Sequence, residues 1–169
     1  MKLLKTMGFL AMTVGLASPT FAQEGATVEE VQAKVKEAAA ALAAVAGDKG
    51  KLDAILEEIQ KKDAKWAWKD TYVFAYDCKA DKAVAHPTLK DKPINALKDK
   101  AGNLIFGGDK GLCKAGEQAE GGWVAYMWPK KEGADPSNKV SFSMSVKGSD
   151  LQVASGIYAD KKVENFQIK

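Results

Sequence analysis

The sequence predicts an α+β fold, a long N-terminal helix packed on an antiparallel sheet of about five strands. Three observations predict it. An apolar stripe with helical spacing begins at Val28, the period changes from helical to two at Thr71, and three strand-like runs close the chain.

The elements follow in order. Thr27-Val28-Glu29-Glu30 has the capping-box pattern, with Thr27 as the cap and Glu30 three residues on. Val28, Val31, Val35, Ala38, Leu42 and Val45 then recur at steps of three and four. Lys34 stands four residues after Glu30, where a surface pair is favourable. Gly47-Asp48-Lys49-Gly50 interrupts the helix, and Leu52, Ile55, Leu56 and Ile59 restart it towards residue 65. The same stripe could serve as a coiled-coil seam for a homodimer, although three Ala-rich heptads are more simply a helix laid on a core.

Thr71 to Tyr76 is β-branched and aromatic, a strand, and Ala83 to His86 is a second short one that Pro87 ends. Asp99 to Asn103 reads as a turn and Leu112 to Ala119 as a weak helix. Trp123 to Trp128, Val140 to Val146 and Leu151 to Tyr158 make a three-stranded meander.

The 169 residues are 46% apolar and 28% charged, an ordinary globular composition. All 25 basic residues are lysine. Without arginine there is no bidentate fork for phosphate or carboxylate, and the commonest base contact is missing, so no nucleic-acid partner is expected. Lys2 and Lys5, an apolar run from Met7 to Ala17 and the small residues up to Ala22 form a secretory signal peptide over residues 1–22. Cleavage after Ala22 leaves 147 residues, 23–169, as one domain. It removes two lysines and no acids, taking the formal charge from +3 to +1. A periplasmic or secreted protein is expected. In that compartment the only two cysteines, Cys78 and Cys113, pair most simply as a disulfide. Closing 35 residues would add roughly 3–4 kcal/mol.

Tyr72-Val73-Phe74-Ala75-Tyr76-Asp77, Val84-Ala85-His86-Pro87, Asp99-x-x-Gly102, Gly121-Gly122-Trp123-Val124-x-Tyr126-x-Trp128, Lys139-x-Ser141-Phe142 and Gly156-Ile157-Tyr158 occur in that order. In this the chain resembles a single Cache domain of the second type over roughly residues 26–160. The resemblance implies a PAS-like sheet behind a long helix, a place outside the membrane and a small metabolite as ligand, often a short carboxylate. With no apolar span after residue 160, the chain reads as a free exported Cache protein.

Alternation puts Val124, Tyr126 and Trp128 on one face of their strand. The next strand has an apolar face of Val140, Phe142, Met144 and Val146, and a polar one of Lys139, Ser141, Ser143 and Ser145. Such a sheet can pack a helix on its dry side and hold a ligand on the other. Lys139 and His86 are the charged candidates, lifted by the family's Lys-x-Ser and Ala-His-Pro elements. Ser141 shares the face of Lys139. Tyr126 and Trp128 offer an O–H and an N–H beside apolar surface, with Tyr76 a weaker member. Phe142 stands where the family has tyrosine, which takes one hydroxyl from the expected ligand set.

No nucleophile motif, phosphate loop or metal cluster can be assembled, so neither catalysis nor a cofactor is expected. The first functional expectation is a binding protein for a small carboxylate, whose occupied state a membrane kinase, chemoreceptor or transporter reads. The alternative is an adaptor without a small ligand, docking on such a partner through its long helix.

Overall fold

The computed structural model of the chain describes residues 25–62 and 65–159. The signal-peptide segment lies outside the described residues. No helix among them is long and apolar enough to cross a membrane.

Thr27 caps α1 (Val28–Ala43), and the capping box is complete: the Thr27 hydroxyl accepts from the Glu30 amide while the Glu30 carboxylate accepts from the Thr27 amide. The expected break follows, and Asp48 caps α2 (Lys49–Gln60) by accepting from the Lys51 amide. Two surface details differ from expectation. Glu30 is held by Lys69 rather than by Lys34, and Lys34 pairs with Glu37. The capping role turns Glu30 away from its own helix face, towards the neighbouring turn.

The strand predicted from Thr71 to Tyr76 is two strands. A small antiparallel pair, β1 (Ala67–Trp68) with β2 (Thr71–Tyr72), precedes β3 (Phe74–Asp77). Val73 breaks the run because its amide donates to the Trp66 carbonyl instead of to a ladder. Next come β4 (Lys82–Ala85), a long excursion containing α3 (Leu112–Gly116), and the meander of β5 (Gly122–Pro129), β6 (Pro136–Ser145) and β7 (Leu151–Tyr158). The five-stranded antiparallel sheet has the order β4-β3-β7-β6-β5, so β7 returns to the middle and pairs with both β3 and β6.

Val31, Val35, Ala38 and Leu42 of α1 are fully buried against one face of this sheet, with Val73, Ala75, Phe142 and Val153 beneath them. Burying such side chains contributes about 1.5–3 kcal/mol each. The stripe offered as a coiled-coil seam is therefore spent inside the molecule. The reason is that the sheet presents a larger apolar area than a second helix would.

The opposite face is covered as well. The excursion from residue 86 to 121 lies over it, burying Leu89, Ile94, Ile105, Phe106 and Leu112 against Phe74, Tyr76, Val124 and Tyr126. Cys78 and Cys113 are joined, Cα atoms 6.0 Å apart, tying α3 to the end of β3. Asp81 accepts from the amides of Ile94 and Asn95, and Asp99 from those of Ala101, Asn103 and Met127, which fastens the excursion to the sheet edge. The polar face, expected to hold a ligand, is thereby a second interior.

Candidate ligand-binding site

Lys139 lies inside the sheet, because β6 begins four residues earlier than the pattern suggested. Its register partners are Tyr126 on β5 and Tyr158 on β7, so the three side chains share one face. The ammonium is buried, the residue being 1% exposed, and no hydrogen bond reaches Nζ. Three rings surround it: Tyr72 at 4.2 Å from Nζ to the ring centroid, Tyr158 at 5.1 Å and Phe74 at 5.5 Å. Ring faces attract a cation by up to ~2 kcal/mol when it is desolvated, against a burial cost of several kcal/mol per ion. Burial wins over the attraction of the Asp70 charge and lowers the Lys139 pKa to about 7.

The serines of the polar face are satisfied. Ser141 Oγ lies 2.9 Å from Tyr126 Oη, Ser143 bonds Tyr76 Oη, and Ser145 donates to the Gly116 carbonyl. Gln152 Oε1, under α3, is the one other buried side-chain atom without a partner among the described residues. Gly156 sits across from Ser141, and a Cβ there would meet Ser141 Oγ at 2.3 Å and the Val140 carbonyl at 2.5 Å. Glycine is required at that close approach.

His86 is placed by its backbone. Gln60 of α2 clamps it with two bonds, donating to the His86 carbonyl and accepting from its amide. The ring Nδ1 accepts from the amides of Thr88 and Leu89, at 3.1 and 3.2 Å, which puts the hydrogen on Nε2. Burial first, then Lys139, pushes its pKa down to about 3. His86 is therefore a neutral donor at physiological pH, not the charged group expected from sequence. Its ring packs edge-on to Tyr72, Phe74 and Trp128.

Tyr72 stands beside Trp128 and Tyr158, and Tyr158 donates to the Pro129 carbonyl at 3.0 Å. Burial pushes Tyr72 up to about 12 and holds Tyr126 and Tyr158 well above the usual phenol range, so all three are donors at neutral pH. Tyr72, Trp128 and Tyr158 form a wall. Behind it stands Lys139; in front lies a cavity of about 590 Å³, lined by Trp68, Asp70, Thr71, Tyr72, Pro87 and Trp128 among others. A smaller cavity of about 190 Å³ lies at the β5 edge under the Asp99 loop.

The structure thus brings together Lys139, His86, Tyr126, Trp128 and Ser141. It does not bring in Tyr76, whose hydroxyl is used up by Ser143 and the Leu112 carbonyl and whose ring stacks on Phe74 and meets Phe106 edge-on under α3. Phe142 points to the helix face, packed on Trp123, so a tyrosine there would lend the site no hydroxyl. Sequence reasoning missed Tyr72, Phe74 and Tyr158 as cage members. All three lie inside the quoted motif segments, and the alternation of Tyr72-Val73-Phe74 hid them because the strand breaks at Val73. Among the described residues no group of three or more His, Cys, Asp or Glu can hold a metal ion.

A helix-backed antiparallel sheet with a buried polar face and an aromatic-walled cavity is an arrangement that can hold a small molecule. A family profile described as Cache domain matches residues 24–162. The chain belongs to the Cache domain family, as a single Cache domain of the second type with the PAS-like fold. Cache domains are extracytoplasmic sensor modules. The chain is 30% identical over 82 residues to the methyl-accepting chemotaxis protein McpP of Pseudomonas putida; the match spans 48% of this chain and 14% of that receptor's length. A crystal structure of a methyl-accepting chemotaxis protein from Vibrio parahaemolyticus shares the fold, with a TM-score of 0.62 at 21% identity, covering 82% of this chain and 90% of that one. A Cache chemosensory domain solved for its recognition of carboxylic acids superposes with a TM-score of 0.62 at 26% identity, over 78% of this chain and 92% of the other. A periplasmic sensor domain of a chemotaxis protein gives 0.58 at 26% identity, over 76% and 95%.

Proposed function

We propose that this protein binds a small carboxylate in the periplasm and presents the occupied state to a membrane chemoreceptor, kinase or transporter, without turning the ligand over. The observation that carries the reading is the Lys139 ammonium, buried in an aromatic cage with no hydrogen-bond partner. A buried unpaired charge is costly, and an incoming carboxylate supplies the missing counter-charge and hydrogen bonds. Tyr126, Tyr72 and His86 Nε2–H are neutral donors around the same point, and Trp128 adds an indole N–H and an apolar wall. Lysine takes the place that a bidentate arginine would fill in a chain that has none.

The chemosensory relative solved for carboxylic acid recognition supports this ligand class. In our reading residues 1–22 are the signal peptide, cut after Ala22, and residues 23–169 form the exported domain. Entry is from the 590 Å³ cavity, through rotation of Tyr72 away from Trp128 and Tyr158. That rearrangement gives occupied and empty forms different surfaces, which a partner must distinguish if it is to respond. The alternative adaptor reading loses its docking face, because the apolar stripe of α1 is covered by the sheet.

A thermal-shift screen against short carboxylates, amino acids and amines tests the proposal. A ligand at 100 times its Kd stabilises the fold by about 2.7 kcal/mol, a shift of several degrees. Selective shifts with carboxylates are expected; a flat screen on protein refolded to strip any resident ligand would overturn the reading.

A further inference from the structure

The cavity of about 590 Å³ is lined by five lysines and only two acids, Asp70 and Glu132, in an exported chain that is nearly neutral. Lys69 is held by Glu30, and the Asp70 carboxylate accepts from the Ala26 amide. The other four lysines are exposed and make no ion pair with another described residue. Lys61 and Lys62 follow α2, and Lys130 and Lys131 follow β5.

The floor has a different chemistry. Trp68, Tyr72, Pro87 and Trp128 line it, each half-buried. An exposed ammonium–carboxylate pair contributes little by itself, whereas an aromatic or large apolar side chain buried on rings can anchor a complex. The lysines therefore select the sign of a partner, and the rings supply its anchor. A concave site accepts inserted side chains, whereas a flat bilayer would meet only the rim. Tyr72 also packs on Lys139, and Trp128 on His86, so the floor of the cavity is the outer side of the wall around the ligand chamber.

We propose that this cavity is the docking site for the membrane partner. The segment it receives is an acidic peptide carrying an aromatic or large apolar residue, with that residue on the rings and its flanking carboxylates on the four lysines. The inference rests on the reading that a partner senses the occupied state, and it names the surface and the chemistry of that contact. A partner seated there meets the face that rotation of Tyr72 changes. That is the differential contact through which a ligand alters partner affinity.

Selection of a random peptide display library on the exported protein at low ionic strength tests it, followed by anisotropy titration of the enriched peptides carrying a fluorophore. Enriched peptides are expected to place Asp or Glu around a Trp, Phe, Tyr or Leu. They should bind about tenfold or more weakly to Lys130→Glu with Lys131→Glu, and to Lys61→Glu with Lys62→Glu. Lys36→Glu with Lys147→Glu makes the same change of net charge outside the cavity and should leave affinity within about twofold. No enrichment, enrichment without acidic residues, or an equal loss in that control would overturn the docking site. So would flotation of the protein with phosphatidylglycerol–phosphatidylcholine vesicles that the rim substitutions abolish, because the rim would then be a membrane contact. A flat carboxylate screen beside intact peptide binding would sink the ligand reading and leave the docking site standing.

Discussion

The two faces of the sheet are built from the same strands and do opposite things. On the helix face, Phe142, Val153, Val73 and Ala75 meet Val31, Val35, Ala38 and Leu42, and the buried Ser155 there is satisfied by Thr71. On the other face, the alternate residues of those strands carry Lys139, Ser141, Ser143 and three tyrosines under the 86–121 excursion. The first face stabilises the fold through contacts that no ligand alters. The second is buried just as deeply but retains an unpaired cation, so its energy can be improved from outside. A site of this kind is recognised by what its burial leaves unsatisfied.

Truncation on the helix face should give the largest effect on stability alone. Phe142→Ala is expected to cost about 3–5 kcal/mol, read as a lowered denaturant midpoint, with ligand affinity of the folded fraction unchanged. A loss of binding without a loss of stability would erase the distinction between the faces. Opening the disulfide should act on the excursion that covers the ligand face. Cys78→Ser with Cys113→Ser is expected to lower stability by roughly 3–4 kcal/mol, and thiol titration of the unfolded exported protein should find no free thiols.

The sharpest contrast is Lys139→Met. Carboxylate affinity should fall about 100-fold, whereas the unliganded protein should melt at a higher temperature, because an unpaired buried charge has been replaced by apolar volume. A variant that binds normally would remove Lys139 from the site. The pH dependence separates the same two quantities. An ordinary unfolded lysine binds its proton up to about pH 10.4, whereas Lys139 in the fold releases it near 7. Between those values the unfolded state holds more protons, so stability from this group rises with pH. Carboxylate binding needs the ammonium and should weaken about tenfold per pH unit above 7, with one proton taken up per ligand in calorimetry across buffers. His86 acts at the acid end. With its folded pKa near 3, it should cost stability as pH falls below about 6.5, the value of a free imidazole. The smallest expected effect is Thr27→Ala, about 1 kcal/mol of stability from the lost α1 cap and none on ligand binding.

Much of this architecture was legible in one dimension because the forces behind it are local. The capping box at Thr27 and Glu30, the break at Gly47-Asp48 and the alternation along β5, β6 and β7 depend on residues within a few positions of one another, and period and turn chemistry report them directly. Lys139, Ser141 and Tyr126 were legible for the same reason, as one side of an alternating pattern. What the excursion covers is a non-local matter. Nothing near Lys139 in sequence reveals that residues 86–121 fold over it, or that Tyr72 and Phe74 arrive from β2 and β3 to enclose it.

From its own residues the sequence determined the helix-then-sheet order, the pairing of the only two cysteines and the polarity of each strand face, since periodicity and composition express these without reference to distant chain. Only the tertiary structure decided that the polar face is an interior, that His86 is neutral with its proton on Nε2, that Tyr76 belongs to the packing, and that Lys139 is caged beside a cavity. Each of these depends on desolvation and ring placement by segments tens of residues away, and burial, unlike period, is a property of the assembled molecule.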